Sequence, residues 1–399
     1  MLELILALII GIAAGTFTGL APGIHINLVA AILLSSIASF PSVSLMAAAV
    51  FIAAMSITHT FLDFIPSIYL GAPEEDTFLS VLPGHQLLKD GKGHEAVVLT
   101  LYGSLAALII ILIFTPIFIY FLPNFYNAIK MIIPFLLIFI SLYIIFREDK
   151  FLLSLSVFFL AGFLGLITFN LPIKDPLLPL LSGLFGTSAL LVSVKDKPII
   201  QSQQISSIKD IKLTKQEFFK AAIAATIAAP LCSFLPGIGS GHAATIGSEI
   251  IPQERRGFLF LVGAINTIII ALSFVTIYAI DKARSGTAAA VKDILKTISL
   301  NDLTILIVAM IIAGITSFLI GISISKLFAN SLNKINYQTL TKFVIVILFV
   351  INIIFTNWLG LIVLVVSTSL GVFAILSDSK RINLMAALIL PAIVYYLTN

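Results

Sequence analysis

The sequence predicts an all-α polytopic membrane protein of about 10–12 transmembrane helices in two inverted repeats, and three observations carry the prediction. Of 399 residues, 59% are hydrophobic and 11% charged, against about 25% charged in ordinary soluble domains. The apolar residues fall in runs near 2–21, 24–40, 43–62, 96–122, 125–146, 151–170, 176–194, 217–235, 238–251, 257–280, 302–328, 340–356, 358–376 and 383–397. A helix-breaking motif occurs twice: Pro22-Gly23-Ile24 recurs as Pro236-Gly237-Ile238 at an offset of 236 − 22 = 214 residues, slightly over half the chain.

The first run, Leu2 to Leu20, is too long for a signal-peptide core and carries Glu3 in place of a basic leader, so it is expected to stay as the first span. The break follows at once. Pro22 lacks an N–H and clashes with the preceding turn, while Gly23 takes conformations closed to other residues. Broken backbone in a bilayer persists only where protein or a water-filled cavity covers it. Its freed N–H groups, at the positive end of the next half-helix, favour a carboxylate or phosphate, and its freed carbonyls favour a cation. A single break reads equally well as a packing kink, but two at matching places point to the midplane binding site of a secondary transporter. The candidate substrate-binding residues are Pro22, Gly23, His25 and Asn27 in the first copy. In the second they are Pro236, Gly237, Gly239, Ser240, Gly241, His242 and Thr245. Segments 24–40, 176–194 and 238–251 are shorter than the roughly 20 residues of a full crossing and are expected to be half-helices or re-entrant pieces.

The third run ends in His59 and Asp63, four residues apart and so on one helix face. Ionisable groups inside a membrane are expensive and mark ion or substrate pathways. Glu249, seven residues after His242, shares a face with it and with Thr245. His59, Asp63 and Glu249 are therefore the ion-coupling candidates, for a proton or sodium; the plainer alternatives are a helix-end pair and an interfacial acid. Asn170, Asn266, Thr267 and Asn352 lie in apolar runs and read as interhelical glue.

Between the third and fourth runs, Gly71 to Glu95 is rich in acids but holds the apolar stretch Phe78 to Leu82 before Pro83-Gly84, the pattern of a short re-entrant or interfacial piece. Residues 195–216 are polar and lysine-rich and form a linker between a first repeat, 1–194, and a second, 217–399; positive-inside bias places it in the cytoplasm. The spacing of Ala288, Val291, Ile294 and Leu295 predicts a short surface helix within 281–301.

Several classes are excluded. Cys232 is the single cysteine, so there is no intramolecular disulfide and no multi-cysteine metal site. The five histidines show no metal-ligand spacing, no cofactor motif is present, and neither Ser240 nor Ser248 has a catalytic partner fixed by sequence, so the chain does not read as an enzyme. No basic patch interleaved with aromatics signals nucleic acid.

The order Gly-Leu-Ala-Pro-Gly-Ile at 19–24, Gly71-Ala-Pro-Glu-Glu-Asp, then Pro83-Gly-His-Gln-Leu-Leu-Lys-Asp-Gly-Lys-Gly to Glu95-Ala96 resembles the large permease subunit (TctA-like) of the tripartite tricarboxylate transporters. Leu180-Leu-Ser-Gly-Leu-Phe-Gly-Thr-Ser-Ala189 and Leu235-Pro-Gly-Ile-Gly-Ser-Gly are similar to later motifs of that family. The resemblance implies an ion-coupled permease of the cell membrane for a small carboxylate-bearing organic anion. It also implies an extracytoplasmic solute-binding protein and a small membrane subunit as partners. The alternative is a polyprenyl-phosphate or other lipid-phosphate translocase, a reading that favours an arginine at the Pro-Gly loop; neither loop contains one.

Overall fold

The computed structural model describes residues 1–21, 26–36, 43–70, 77–146, 148–173, 176–196, 201–233, 239–332 and 337–398, and among them every regular element is helical. In chain order these are α1 (Leu2–Leu20), α2 (Ile26–Ser36), α3 (Leu45–Leu62), α4 (Phe64–Leu70), α5 (Phe78–Lys89), α6 (Gly93–Phe146) and α7 (Phe151–Asn170). There follow α8 (Leu177–Leu181), a π-helical turn (Ser182–Thr187), α9 (Ser188–Asp196), α10 (Lys215–Cys232), α11 (Ser240–Ile250), α12 (Arg255–Ile280) and α13 (Gly286–Leu295). The chain closes with α14 (Leu300–Leu332), α15 (Tyr337–Leu376), a 3-10 turn (Arg381–Met385) and α16 (Ala386–Thr398).

Eight stretches among the described residues are long and apolar enough to cross a membrane. The two longest helices, α6 and α15, are interrupted. At 1.5 Å per residue, the 54 residues of α6 extend about 80 Å against a hydrocarbon core of about 30 Å. Pro116, Pro123 and Pro134 fall inside α6, each removing a backbone hydrogen bond. In α15 the break is at Asn357, whose φ of 59° and ψ of −168° are not helical. Eight such stretches stand among the described residues against the about 10–12 spans expected. The segments expected to be half-helices are short: α2 and α11 have 11 residues each, and 177–196 is interrupted by the π turn.

Burial ranks the helices. The most apolar window of α12 is 94% buried and that of the α3–α4 stretch 83%, whereas that of α1 is 22% buried. The first two are therefore the central columns, and α1 presents Ile5, Ile9 and Phe17 outward to lipid. Lipid tails are as apolar as leucine, so helices associate here through close packing and polar contacts. Gly103 of α6 lies against the Phe260 carbonyl of α12, and Gly263 of α12 against the Thr100 carbonyl of α6, with no space for a Cβ at either. Farther along the chain, Gly165 of α7 abuts the Ala387 carbonyl of α16, and Gly371 of α15 abuts the Leu184 carbonyl of the π turn.

Local signals account for the element starts. A capping box opens α10, in which Thr214 Oγ1 accepts from Glu217 N at 3.2 Å while Thr214 N donates to Glu217 Oε2 at 2.7 Å. Ser44 caps α3, and its own N–H donates to Glu3 Oε1 at 2.6 Å. The polar stretch after 200 is clamped beneath the α5–α6 corner: Gln203 takes the Gly93 N–H (2.9 Å) and donates to the Leu88 carbonyl (2.9 Å). The Tyr102 hydroxyl donates to the Ile208 carbonyl at 2.9 Å. One expectation is corrected. The helix within 281–301 is α13, but its apolar face is not at the surface: Ala288, Val291 and Ile294 are buried, and α13 packs on α2 and α3.

Candidate functional site

Alternating short polar side chains along α3 give the site its place. Thr58, His59, Thr60 and Asp63 are all buried, and each finds a partner on another helix. Thr58 Oγ1 accepts from Ser317 Oγ of α14 at 2.9 Å. Thr60 Oγ1 and Thr267 Oγ1 of α12 lie 3.1 Å apart. His59 Nδ1 is 3.2 Å from Thr18 Oγ1, two residues before the end of α1. Asp63 Oδ2 accepts from Asn266 Nδ2 of α12 at 2.8 Å.

Asp63 sits where α3 stops and α4 begins. Its N–H closes the last turn on the His59 carbonyl at 2.9 Å, and its carbonyl accepts from Ser67 Oγ at 2.9 Å. Thr18 Oγ1 also donates to the Gly15 carbonyl at 3.2 Å, and the donor between it and His59 Nδ1 follows the imidazole's tautomer. His59 Nε2 is 3.9 Å from Asp63 Oδ2, too far for a hydrogen bond and within ion-pair reach. The pair can hold a proton or a small cation between a carboxylate and an imidazole in a region closed to bulk water.

The two Pro-Gly loops are represented by their flanks. Pro22, Gly23, His25, Pro236 and Gly237 lie outside the described residues, as does the side chain of His242. Asn27 is half-buried at the start of α2, and its Oδ1 accepts from Thr287 N at 3.1 Å. Gly239 precedes α11 with φ −77° and ψ 176°, extended backbone open to any residue, so what glycine contributes there is the missing side chain. Ser240 and Gly241 are buried beside it, and Thr245 is half-buried with its hydroxyl donated to the Gly241 carbonyl at 3.0 Å. Glu249 is exposed near the C-terminal end of α11, in contrast to the buried Asp63.

Sequence reasoning missed three contributors. Thr18 carries no signal apart from its place just before the first break. Asn266 reads as glue but hydrogen-bonds the acid. Arg284, in the turn between α12 and α13, reaches the Cys232 side chain at the end of α10 electrostatically. The short stretch 284–287 thereby reaches both the half-helix leaving the first Pro-Gly segment and the helix entering the second. Among the described residues no three His, Cys, Asp or Glu side chains cluster as metal ligands.

A family model described as "Tripartite tricarboxylate transporter TctA family" matches residues 5–386. An uncharacterized protein of Methanocaldococcus jannaschii is 32% identical over 98% of this chain and 99% of its own length. No solved structure matches the chain.

Proposed function

From the premise that this multi-pass membrane protein belongs to the tripartite tricarboxylate transporter TctA family, we propose that it is an ion-coupled secondary permease, a symporter for a small organic anion bearing carboxylates. The observation that carries the coupling is the buried His59–Asp63 pair, held from α1 by Thr18 and from α12 by Asn266. A buried carboxylate costs least when neutralised by a proton or paired with a cation. In the proposed cycle the ion occupies the space between His59 and Asp63, and the solute's carboxylates take the N–H groups freed at the two Pro-Gly breaks. Arg284, which acts electrostatically on Cys232 at the end of α10, supplies the countercharge, and Asn27, Gly239, Ser240, Gly241, His242 and Thr245 frame the solute. Glu249 is kept as a peripheral coupling candidate at the rim.

We read the chain as two inverted repeats about the linker. Reciprocal packing supports this reading: α12 of the second half packs on α6 of the first, and α3 of the first on α14 of the second. The glycine contacts Gly165–Ala387 and Gly371–Leu184 form a second exchanged pair. Alternating access then follows from rocking of one packed group against the other about the central site. By positive-inside bias the linker lies in the cytoplasm. A small membrane subunit and an extracytoplasmic solute-binding protein complete the proposed assembly.

The test is uptake of labelled citrate and succinate into proteoliposomes under imposed proton or sodium gradients. We expect uptake to follow one of the gradients. Asp63→Asn should cut gradient-driven uptake at least tenfold, about 1.4 kcal/mol or more of lost coupling, with folding preserved. Wild-type uptake indifferent to both gradients removes ion coupling; undiminished coupling in Asp63→Asn removes Asp63 from it.

A further inference from the structure

Arg381 is a cation whose surroundings do not explain it. It opens the last apolar stretch, Arg381–Thr398, and its side chain is half-buried with Nε occluded. Among the described residues no carboxylate pairs with it. One Nη2 donates to the Phe185 carbonyl, and Cζ lies 5.5 Å from the centroid of the Phe185 ring. Nε is occluded and has no hydrogen-bond partner. Thr187, two residues on in the same π-helical turn, is buried and its hydroxyl also lacks a partner.

One carbonyl and one ring face do not compensate for taking a full charge out of water, since buried charges are tolerated when paired. An occluded N–H without an acceptor is costly, and π-helical turns recur at functional sites. His85 of α5 feels the charges of both Arg381 and Lys89. Lys89 is exposed while His85 and Arg381 are half-buried, so the three form a group with Lys89 at its outer end. Its outer end adjoins the corner where Gln203 clamps the Leu88 carbonyl.

We propose that Arg381, His85 and the Thr187 hydroxyl form an oxyanion site on the linker side, reached past Lys89 and distinct from the Pro-Gly loops. The guanidinium offers Nε–H and a neighbouring N–H in the fork geometry that carboxylate and phosphate groups accept. The threonine hydroxyl donates a further bond, and Lys89 concentrates anions at the entrance. That the occupant is the transported solute rests on the permease reading above; a lipid phosphate would meet the same donors.

The test uses full-length protein in phosphatidylcholine nanodiscs, with citrate and inorganic phosphate titrated calorimetrically into wild type, Arg381→Gln, Arg381→Lys and Thr187→Ala. Thermal unfolding is measured on the same samples, with and without phosphatidylglycerol. Wild type should bind citrate or phosphate, with affinity reduced about 100-fold in Arg381→Gln and about tenfold in Arg381→Lys. Thr187→Ala should weaken binding by a smaller factor and leave the unfolding temperature nearly unchanged. If soluble anions do not bind but phosphatidylglycerol stabilises wild type and not the arginine variants, the site stands with a lipid occupant, and the solute assignment falls. Equal anion affinity and equal lipid response in all four proteins overturns the site, as does a wild type that responds to no anion. Should Arg381→Gln fail to fold, the lysine and Thr187 variants decide. Proteoliposome uptake separates this proposal from the permease reading: citrate binding lost in Arg381→Gln without wild-type uptake refutes transport alone, and full uptake by Arg381→Gln refutes the transported solute as the site's occupant.

Discussion

His85 shows how one side chain's surroundings set a measurable property. Burial, and then the charges of Lys89 and Arg381, pull its pKa from 6.5 down to about 4, so the folded protein keeps the ring neutral where the unfolded chain would protonate it. Between pH 6.5 and about 4 the unfolded state therefore binds more protons, and stability falls as the pH is lowered through that window. Unfolding temperatures across pH 4–8 should show this acid-side loss, and His85→Gln should flatten it; an identical slope in both proteins would assign the loss to other groups. Asp63 obeys the same logic of partners. Neutral hydrogen bonds between membrane helices average about 0.6 kcal/mol, whereas bonds to a charged group reach about 1.5–3 kcal/mol. The Asn266–Asp63 bond thus belongs at the stronger end of the range while Asp63 is ionised.

At the scale of elements, glycine has two separate uses that experiment can distinguish. In the α6–α12 contact, a Cβ on Gly103 would run into the Phe260 carbonyl, and one on Gly263 into that of Thr100. Both are backbone atoms that yield only if the helices part. Gly103→Ala should therefore lower stability by about 1–3 kcal/mol, the usual cost of overpacking. Gly239 stands in extended backbone before α11, where alanine fits conformationally and, on the proposed reading, brings a methyl group toward the solute. Gly239→Ala should cut substrate affinity while changing stability by no more than about 1 kcal/mol. Ligand titration and unfolding on the same samples check both; the reverse pattern would make Gly239 a packing residue and Gly103 a functional one.

The whole molecule is held by exchange between its halves. On the proposed reading, α7 and α16 move as one piece, because Gly162 and Gly165 of α7 sit directly against Leu390 and Ala387 of α16. A Gly162→Cys, Leu390→Cys pair in a Cys232→Ala background is placed for a disulfide: the Leu390 Cβ is 2.9 Å from an ideal Cβ on Gly162, and a small relaxation reaches the usual separation of about 3.8 Å. Oxidation should leave proteoliposome uptake within about twofold of the reduced protein. Uptake abolished by oxidation and restored by a reductant would show instead that α7 slides along α16 during the cycle.

By itself the sequence determined the membrane class, the all-helical fold and the family. Apolarity, proline and glycine act through neighbours a few residues away, so their effects are legible locally. It also singled out His59 and Asp63, because a charge in an apolar run is conspicuous at any distance. Only the tertiary structure decided which polar residues face each other. Asn170, Asn266 and Asn352 look alike in sequence. Yet Asn170 bonds the Leu166 carbonyl at the surface and Asn352 bonds the Leu348 carbonyl, each within its own helix, while Asn266 meets Asp63 across 203 residues of chain. The same holds for Arg284 beside Cys232 and for Arg381 over Phe185. Each is an unremarked base near a helix end until folding brings a distant element against it. Hydropathy places a residue at a depth in the bilayer, but packing alone sets its rotation and its partner.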